Sequence, residues 1–184
     1  MRQDQVTWGS TNDGHIWQGS AGSSNIFSIS NQQGRVAQAD GFFDAIIGPR
    51  LSNESIKTTG IINFAQSDGT TSIGLVLRWQ DTNNWYKAYL DGTTFGIRKH
   101  VNGQSPSPLI MTKFFVQPGV PYTIRFHAAG SLLQAKAWPT NTSEPQQWTL
   151  TVHDTSFTSG FGGLRIGVQD ETAVYITSFT EKRI

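Results

Sequence analysis

The sequence predicts an all-β, two-sheet antiparallel jelly-roll sandwich, and three observations carry the prediction. Composition disfavours helices: Gly 19, Phe 11 and Trp 6 stand beside only 15% charged residues, a poor supply of the Glu, Lys, Arg and Ala that helix surfaces need. Short apolar–polar alternations recur along the chain with the period of two that marks half-buried strands. Turn dipeptides such as Asp91-Gly92 and Asn102-Gly103 separate them at near-regular intervals, the spacing of a sandwich or barrel. At 184 residues the chain is expected to be one domain, 1–184, large enough to bury a core without cross-links.

The elements follow in order. Residues 8–17 are turn-rich with two tryptophans, 25–30 alternate as a short strand, 31–34 break the chain, and 36–40 form a second weak strand. The run 41–47 is continuously apolar and fits a buried strand, which Gly48-Pro49 is expected to end. A strand at 60–65 and a turn at 67–70 lead into the centre of the pattern, residues 74–91. There Leu75, Leu77 and Trp79 alternate with Val76 and Arg78; beyond the polar segment 80–84, Tyr86, Ala88 and Leu90 alternate with Trp85, Lys87 and Tyr89. Leu75, Leu77, Trp79, Tyr86 and Leu90 are expected in the core. A lone hairpin is marginally stable, so further two-faced strands must extend it. They are found at 95–101, 109–116, 122–127 and 132–138, then, past a proline-bearing excursion over 139–147, at 148–152, 163–168 and 174–179. Ile124, Phe126, Leu133 and Ala135 are expected to face the core.

Charge and cysteine content exclude several classes. A net charge of +1 provides no long-range attraction for nucleic acid or an anionic membrane, and no window approaches the ~20 apolar residues of a membrane span, so neither partner is expected. Zero cysteines rule out disulfides and thiolate metal sites. With no apolar signal region, Met1 is read as the start of a mature or excised chain, or of a cytosolic one. The Thr-, Asn- and Gly-rich, lightly charged composition points instead to a secreted or cell-surface module. Asn53-Glu-Ser55 and Asn141-Thr-Ser143 match the N-glycosylation pattern, which is short enough to arise by chance.

Residues 74–91, Tyr122-Thr-Ile-Arg-Phe126, Ala135-Lys-Ala-Trp-Pro139, Glu144-Pro-Gln-Gln-Trp148 and Gly163-Leu-Arg-Ile-Gly167 resemble concanavalin A-like, laminin G-like jelly-roll modules of bacterial extracellular proteins. The opening segment 8–17 is similar to the start of the same modules, so the resemblance spans nearly the whole chain. It implies two stacked antiparallel sheets, with a sheet face or its rim loops binding sugar, as in lectins, fructan-binding modules and polysaccharide-cleaving enzymes. One such fold hosts many activities.

Sugar binding needs flat rings to stack on sugar faces and planar polar groups to hydrogen-bond paired hydroxyls. With the apolar alternation turned inward, the opposite positions carry Arg78, Lys87, Tyr89, Arg98, Arg125, His127, Lys136 and Trp138, while Asp81, Asn83, Asn84 and Trp85 lie at the hairpin tip. These residues come from separate strands that a jelly roll can place side by side, and they form the candidate ligand-binding set. Two bland readings compete: such residues cover apolar surface on any exposed sheet, and Asp81 to Asn84 are ordinary turn chemistry. The expected function is non-catalytic, lectin-like recognition of a polysaccharide or surface glycan. The alternative is a structural or adhesive module contacting neighbouring domains of a larger chain. A third reading is a lyase on a uronate polymer, with Arg125, His127, Tyr89 and Arg98 as charge neutralisers and proton carriers, although the strand motifs of jelly-roll alginate lyases are absent. A glycoside hydrolase is disfavoured, because the only four glutamates, Glu54, Glu144, Glu171 and Glu181, sit in or near predicted loops or a terminus. No cofactor is required. Asp40, Asp44 and Asp170 offer hard oxygen ligands for a surface Ca²⁺ joining the chain ends, with solvated carboxylates as the preferred account.

Overall fold

The computed structural model describes residues 3–23, 25–64 and 69–184. In chain order its strands are β1 (Gln5–Val6), β2 (Gln18–Gly19), β3 (Phe27–Ser30), β4 (Gln33–Ala37), β5 (Gly41–Leu51), β6 (Glu54–Asn63), β7 (Ile73–Asp81) and β8 (Asn84–Leu90). They continue as β9 (Thr94–His100), β10 (Ser107–Lys113), β11 (Pro121–Ala129), β12 (Leu132–Pro139), β13 (Leu150–His153), β14 (Gly160–Val168) and β15 (Ala173–Arg183). Among the described residues the one α-helix is a single turn, α1 (Ser20–Ser23), and none is long and apolar enough to cross a membrane. Ala65, Ser67 and Asp68, expected at a strand end and a turn, lie outside the described residues.

Two antiparallel sheets result. One holds eight strands in the order β1-β3-β4-β15-β6-β11-β12-β13, the other seven in the order β10-β9-β8-β7-β14-β5-β2. Insertion of β15 between β4 and β6, and of β14 between β7 and β5, is the long-range crossing of a jelly roll. The predicted alternation builds the layer between the sheets. Leu75, Leu77, Tyr86 and Leu90 from the seven-stranded sheet meet Ile124, Phe126, Leu133 and Ala135 from the eight-stranded one, all 0% exposed. Each of the larger apolar chains contributes about 2 kcal/mol by leaving water.

Three strands differ from expectation, each for a local reason. Gly48-Pro49 does not end the apolar run: Gly48 adopts φ 77°, β14 shifts register opposite it between Gly160 and Gly162, and β5 bulges and continues to Leu51. β6 begins at Glu54 rather than residue 60, because its inward positions include the buried polar residues Glu54 and Thr58, which hide the alternation. Trp79 is half-buried outside the core, edge-on to Phe161 at 6.5 Å. The cause is Arg78, which takes the left-handed φ of 51° where β7–β8 pairing lapses between Leu77 and Asp81.

Candidate functional site

The predicted site residues do not share a surface. β8 and β9 lie in the seven-stranded sheet, β11 and β12 in the eight-stranded one. With the apolar positions of all four turned inward, Trp85, Lys87, Tyr89 and Arg98 face out on one side of the sandwich, and Arg125, His127, Lys136 and Trp138 on the other. The single face expected from the sequence is therefore corrected to two. Period-two patterning separates inward from outward positions but carries nothing about which sheet a strand joins. The lyase constellation of Arg125 and His127 beside Tyr89 and Arg98 is divided with it.

On the seven-stranded sheet the outward residues form a layered cluster. Gly74 pairs with Tyr89, and Tyr89 with Gly96. A Cβ on Gly96 would lie 2.8 Å from the Tyr89 ring, and one on Gly74 would strike Lys87 Cε, so these glycines let both side chains lie flat on the sheet. Trp85, Lys87 and Tyr89 are consequently only 2%, 2% and 4% exposed. Above them sits a layer of cations. The Arg98 guanidinium is 3.7 Å from the Tyr89 ring centre, that of Arg165 is 5.2 Å from Trp85 and 5.7 Å from Phe42, and Lys87 Nζ is 4.7 Å from Phe42. His100 stands edge-on to Trp85 at 5.1 Å.

Polar atoms in this cluster are left without partners. Arg165 donates to Asp44 Oδ2 at 2.5 Å, but Asp44 Oδ1 and His100 Nδ1 are buried and unbonded, and Lys87 Nζ bonds no described residue. Burial, reinforced by the positive charges of Arg98 and Arg165, drives the Lys87 pKa well below its ordinary value against the pull of Asp44 and Asp91. Burial likewise raises Asp44 despite Arg165 and Lys87. Burial thus disfavours the charge on both groups, and the opposite charges around them offset it only in part. Phe42, His100 and Arg165 lie outside the predicted set, and Asp44, expected as a metal ligand, pairs with Arg165 instead. A signal existed in the outward positions Phe42 and Asp44 of β5 and in Arg165 between Leu164 and Ile166, but an apolar run reads as buried on both faces.

The opposite face is self-satisfied. The excursion 140–149 folds back so that Glu144 Oε1 accepts from Arg125 and from Lys136, each at 2.8 Å, and Pro145 O accepts from Lys136 at 2.7 Å. Trp148 covers the pair, 4.9 Å from Lys136 Nζ and 5.4 Å from the His127 ring, and Trp138 is only 6% exposed. Burial raises the Glu144 pKa, yet the bonds from Lys136 and Arg125 outweigh it and the net shift is downward.

Two further predictions change role. Arg78 is 1% exposed and belongs to neither outer face; its guanidinium donates to Ser52 O, Phe157 O and Gly130 O. At the hairpin tip Asp81 Oδ1 accepts from Asn83 N at 2.7 Å and Asn84 Nδ2 at 3.0 Å, Asn84 Oδ1 accepts from Asn102 N, and Trp85 Nε1 donates to Thr82 O. Asp81, Asn83 and Asn84 thus serve the turn.

A cleft of about 940 Å³ lies elsewhere, walled by Trp8, Trp17, Asp13, His15, Phe179 and Glu181. Its tryptophans, at 2% and 4% exposure, offer no open ring face, and Thr11, Asp13 and His15 bond one another. Behind it, the Glu54 and Glu181 carboxyls are neighbours, and burial, reinforced by Glu181, pushes the Glu54 carboxyl up to about 8. The catalytic carboxyls of a glycoside hydrolase stand roughly 5 Å or more apart with the sugar between them. Glu54 and Glu181 adjoin each other within the fold instead, with Glu54 0% exposed.

No protein-family model matches the chain, and no curated protein matches its sequence. Solved structures do share its fold. The carbohydrate-binding module CBM66 from Bacillus subtilis, at 17% identity, superposes with a TM-score of 0.72 over 90% of this chain and 94% of that one. The Ca²⁺-bound exoplasmic/lumenal domain of VIP36 (11% identity) gives 0.65 over 98% and 90%, and lectin II from Ulex europaeus (10%) gives 0.64 over 98% of each chain. The chain therefore has the concanavalin A-like jelly roll of lectins and carbohydrate-binding modules, as its resemblance implied. Asp40, Asp44 and Asp170 do not come together as the Ca²⁺ site expected of them. Among the described residues no three His, Asp or Glu side chains gather to hold a metal, Asp40 and Asp170 are exposed, and Asp44 is turned to Arg165.

Proposed function

We propose that this chain is a non-catalytic carbohydrate-binding module whose ligand seats on the outer face of the seven-stranded sheet, over Phe42, Asp44, Lys87 and His100. The fold it shares with lectins and carbohydrate-binding modules supports the class. One observation carries the location: on this one outer face Asp44 Oδ1 and His100 Nδ1 are buried and, among the described residues, have no hydrogen-bond partner, and the 2% exposed Lys87 lies on a strand between theirs. Unpaired buried polar groups cost about 1–3 kcal/mol each, and the hydroxyls of a sugar are donors and acceptors that would recover it. The glycan would be met outside the cell or at its surface, with residues 1–184 acting as one recognition unit.

A glycan array followed by polysaccharide pull-down tests the reading. Asp44→Asn and His100→Ala should each weaken binding by about ten-fold, as expected for lost hydrogen bonds to a ligand. Arg125→Ala, on the opposite face, should leave it unchanged. Absence of binding to any glycan, or loss confined to the Arg125 variant, would overturn it.

A further inference from the structure

We infer that the glycan bound on this face carries an anionic group, a carboxylate or a sulfate ester, seated between Lys87 and Arg98. The inference rests on the carbohydrate reading above and adds the charge of the ligand. Three cations, Lys87, Arg98 and Arg165, crowd the cluster, and the one carboxylate bonded there, Asp44, is committed through Oδ2 to Arg165. Asp91, the next nearest, spends Oδ1 on the backbone N–H groups of Thr93 and Thr94 at 2.9 and 2.7 Å. Asp44 and Asp91 attract Lys87 from a distance, but among the described residues neither Lys87 nor Arg98 forms an ion pair with a carboxylate.

The opposite face is the internal control. It carries the same chemistry, an arginine and a lysine on adjacent strands over tryptophan, and there the chain supplies Glu144 as the counter-ion to both. Among the described residues no loop carboxylate forms an ion pair with Lys87 or Arg98. What the seven-stranded face lacks is what an acidic ligand would bring. The rings reinforce this. Arg98 lies on Tyr89, and Lys87 and Arg165 lie on Phe42, so the aromatic faces hold cations in place instead of standing open for a neutral sugar to stack on. A planar guanidinium beside an ammonium is a pre-set receptor for an oxyanion. Asp44 Oδ1, still an open acceptor, calls for a hydroxyl donor close by, which fits an acidic sugar better than a bare inorganic anion.

The test uses matched pairs of probes: oligogalacturonate against its carboxyl-reduced neutral counterpart, and chondroitin sulfate oligosaccharide against its desulfated form. Binding is followed by calorimetry in about 50 and about 300 mM NaCl, which separates screened from unscreened attraction. The acidic member of one pair should bind about ten-fold tighter than its neutral partner, with the advantage shrinking in high salt; the pair that responds tells carboxylate from sulfate. Lys87→Met should erase the preference and raise the melting temperature, because an apolar near-isostere replaces a buried, uncompensated ammonium. Arg98→Gln should erase it as well and decides the matter if the Met variant does not fold. Lys113→Met, at an exposed position on β10, should change nothing. Equal binding of acidic and neutral partners, or a preference that survives both substitutions, overturns the charge inference and leaves the glycan reading standing. Failure of every glycan, charged or neutral, removes both.

Discussion

Replacing Arg78 by Ala should unfasten three turns at once. The guanidinium donates to Ser52 O (3.2 and 2.8 Å), Phe157 O (2.7 Å) and Gly130 O (2.6 Å), carbonyls from the β5–β6, β13–β14 and β11–β12 connections. Its backbone N–H donates to Glu54 Oε1 at 3.3 Å. Three orphaned carbonyls at about 1–3 kcal/mol each sum to about 3–9 kcal/mol; relief from desolvating the guanidinium offsets part, leaving about 3–5 kcal/mol. For a chain of this length that corresponds to a loss of roughly 10 °C in melting temperature. Arg78→Gly should be milder by about 1 kcal/mol, since the left-handed φ of 51° strains any side chain there and glycine relieves it. Thermal and urea unfolding read the stability, and glycan binding well below the transition should match wild type. A variant with wild-type stability but no binding would return Arg78 to the ligand site and refute the clasp.

Glu54 sets a pH dependence. Its folded pKa of about 8, raised by burial and by Glu181, exceeds the ordinary 4.5, so the stabilisation is complete below about pH 4.5 and is lost as pH rises through about 8. Melting temperature should therefore fall between about pH 5 and about pH 9, with a slope of at most ~1.4 kcal/mol per pH unit, and Glu54→Gln should flatten it by supplying a permanent donor to Glu181. A flat wild-type profile would show that the Glu54 pKa is not raised in the fold. Asp154 behaves in the opposite sense. Burial raises its pKa, but hydrogen bonds from Lys99, Ser156 and Tyr86 outweigh burial and hold it below the usual carboxylate range. Its contribution is present above about pH 4 and lost only as pH falls from there through its lowered folded pKa, so Asp154→Asn should cost about 1 kcal/mol at neutral pH after screening, and the gap in melting temperature should begin to narrow below about pH 4 and keep narrowing in stronger acid. A gap that persists at acid pH would mean that the charge on Asp154 is immaterial.

Strand patterning made one half of the molecule legible. Leu75, Leu77, Tyr86, Ile124 and Phe126 announced the core because one buried face imposes a period of two, and Trp85, Lys87, Tyr89 and Arg98 fell on the outward positions for the same reason. Arg78 broke the rule. A left-handed residue inverts the alternation that follows it, and arginine, unlike Gly or Asn, signals no such turn. Phe42, Asp44 and Arg165 were hidden by topology: β14 enters between β7 and β5 from the far end of the chain, and no local pattern records that neighbour.

The least legible residue is Glu144, and it separates the two faces. Arg125 and Lys136 read in the sequence much as Lys87 and Arg98 do, cations set among aromatics on adjacent strands. They differ in that the 140–149 excursion folds back and ends at 2.8 Å from both cations, whereas Asp91, at the corresponding turn of the other sheet, caps its own backbone. Strands decide which way a side chain points, with a periodicity that can be read. Whether a charged face is already satisfied depends on where a loop returns, and that is fixed only by packing. Among faces of this composition, the one left without its carboxylate is the one with free energy still to gain from a ligand.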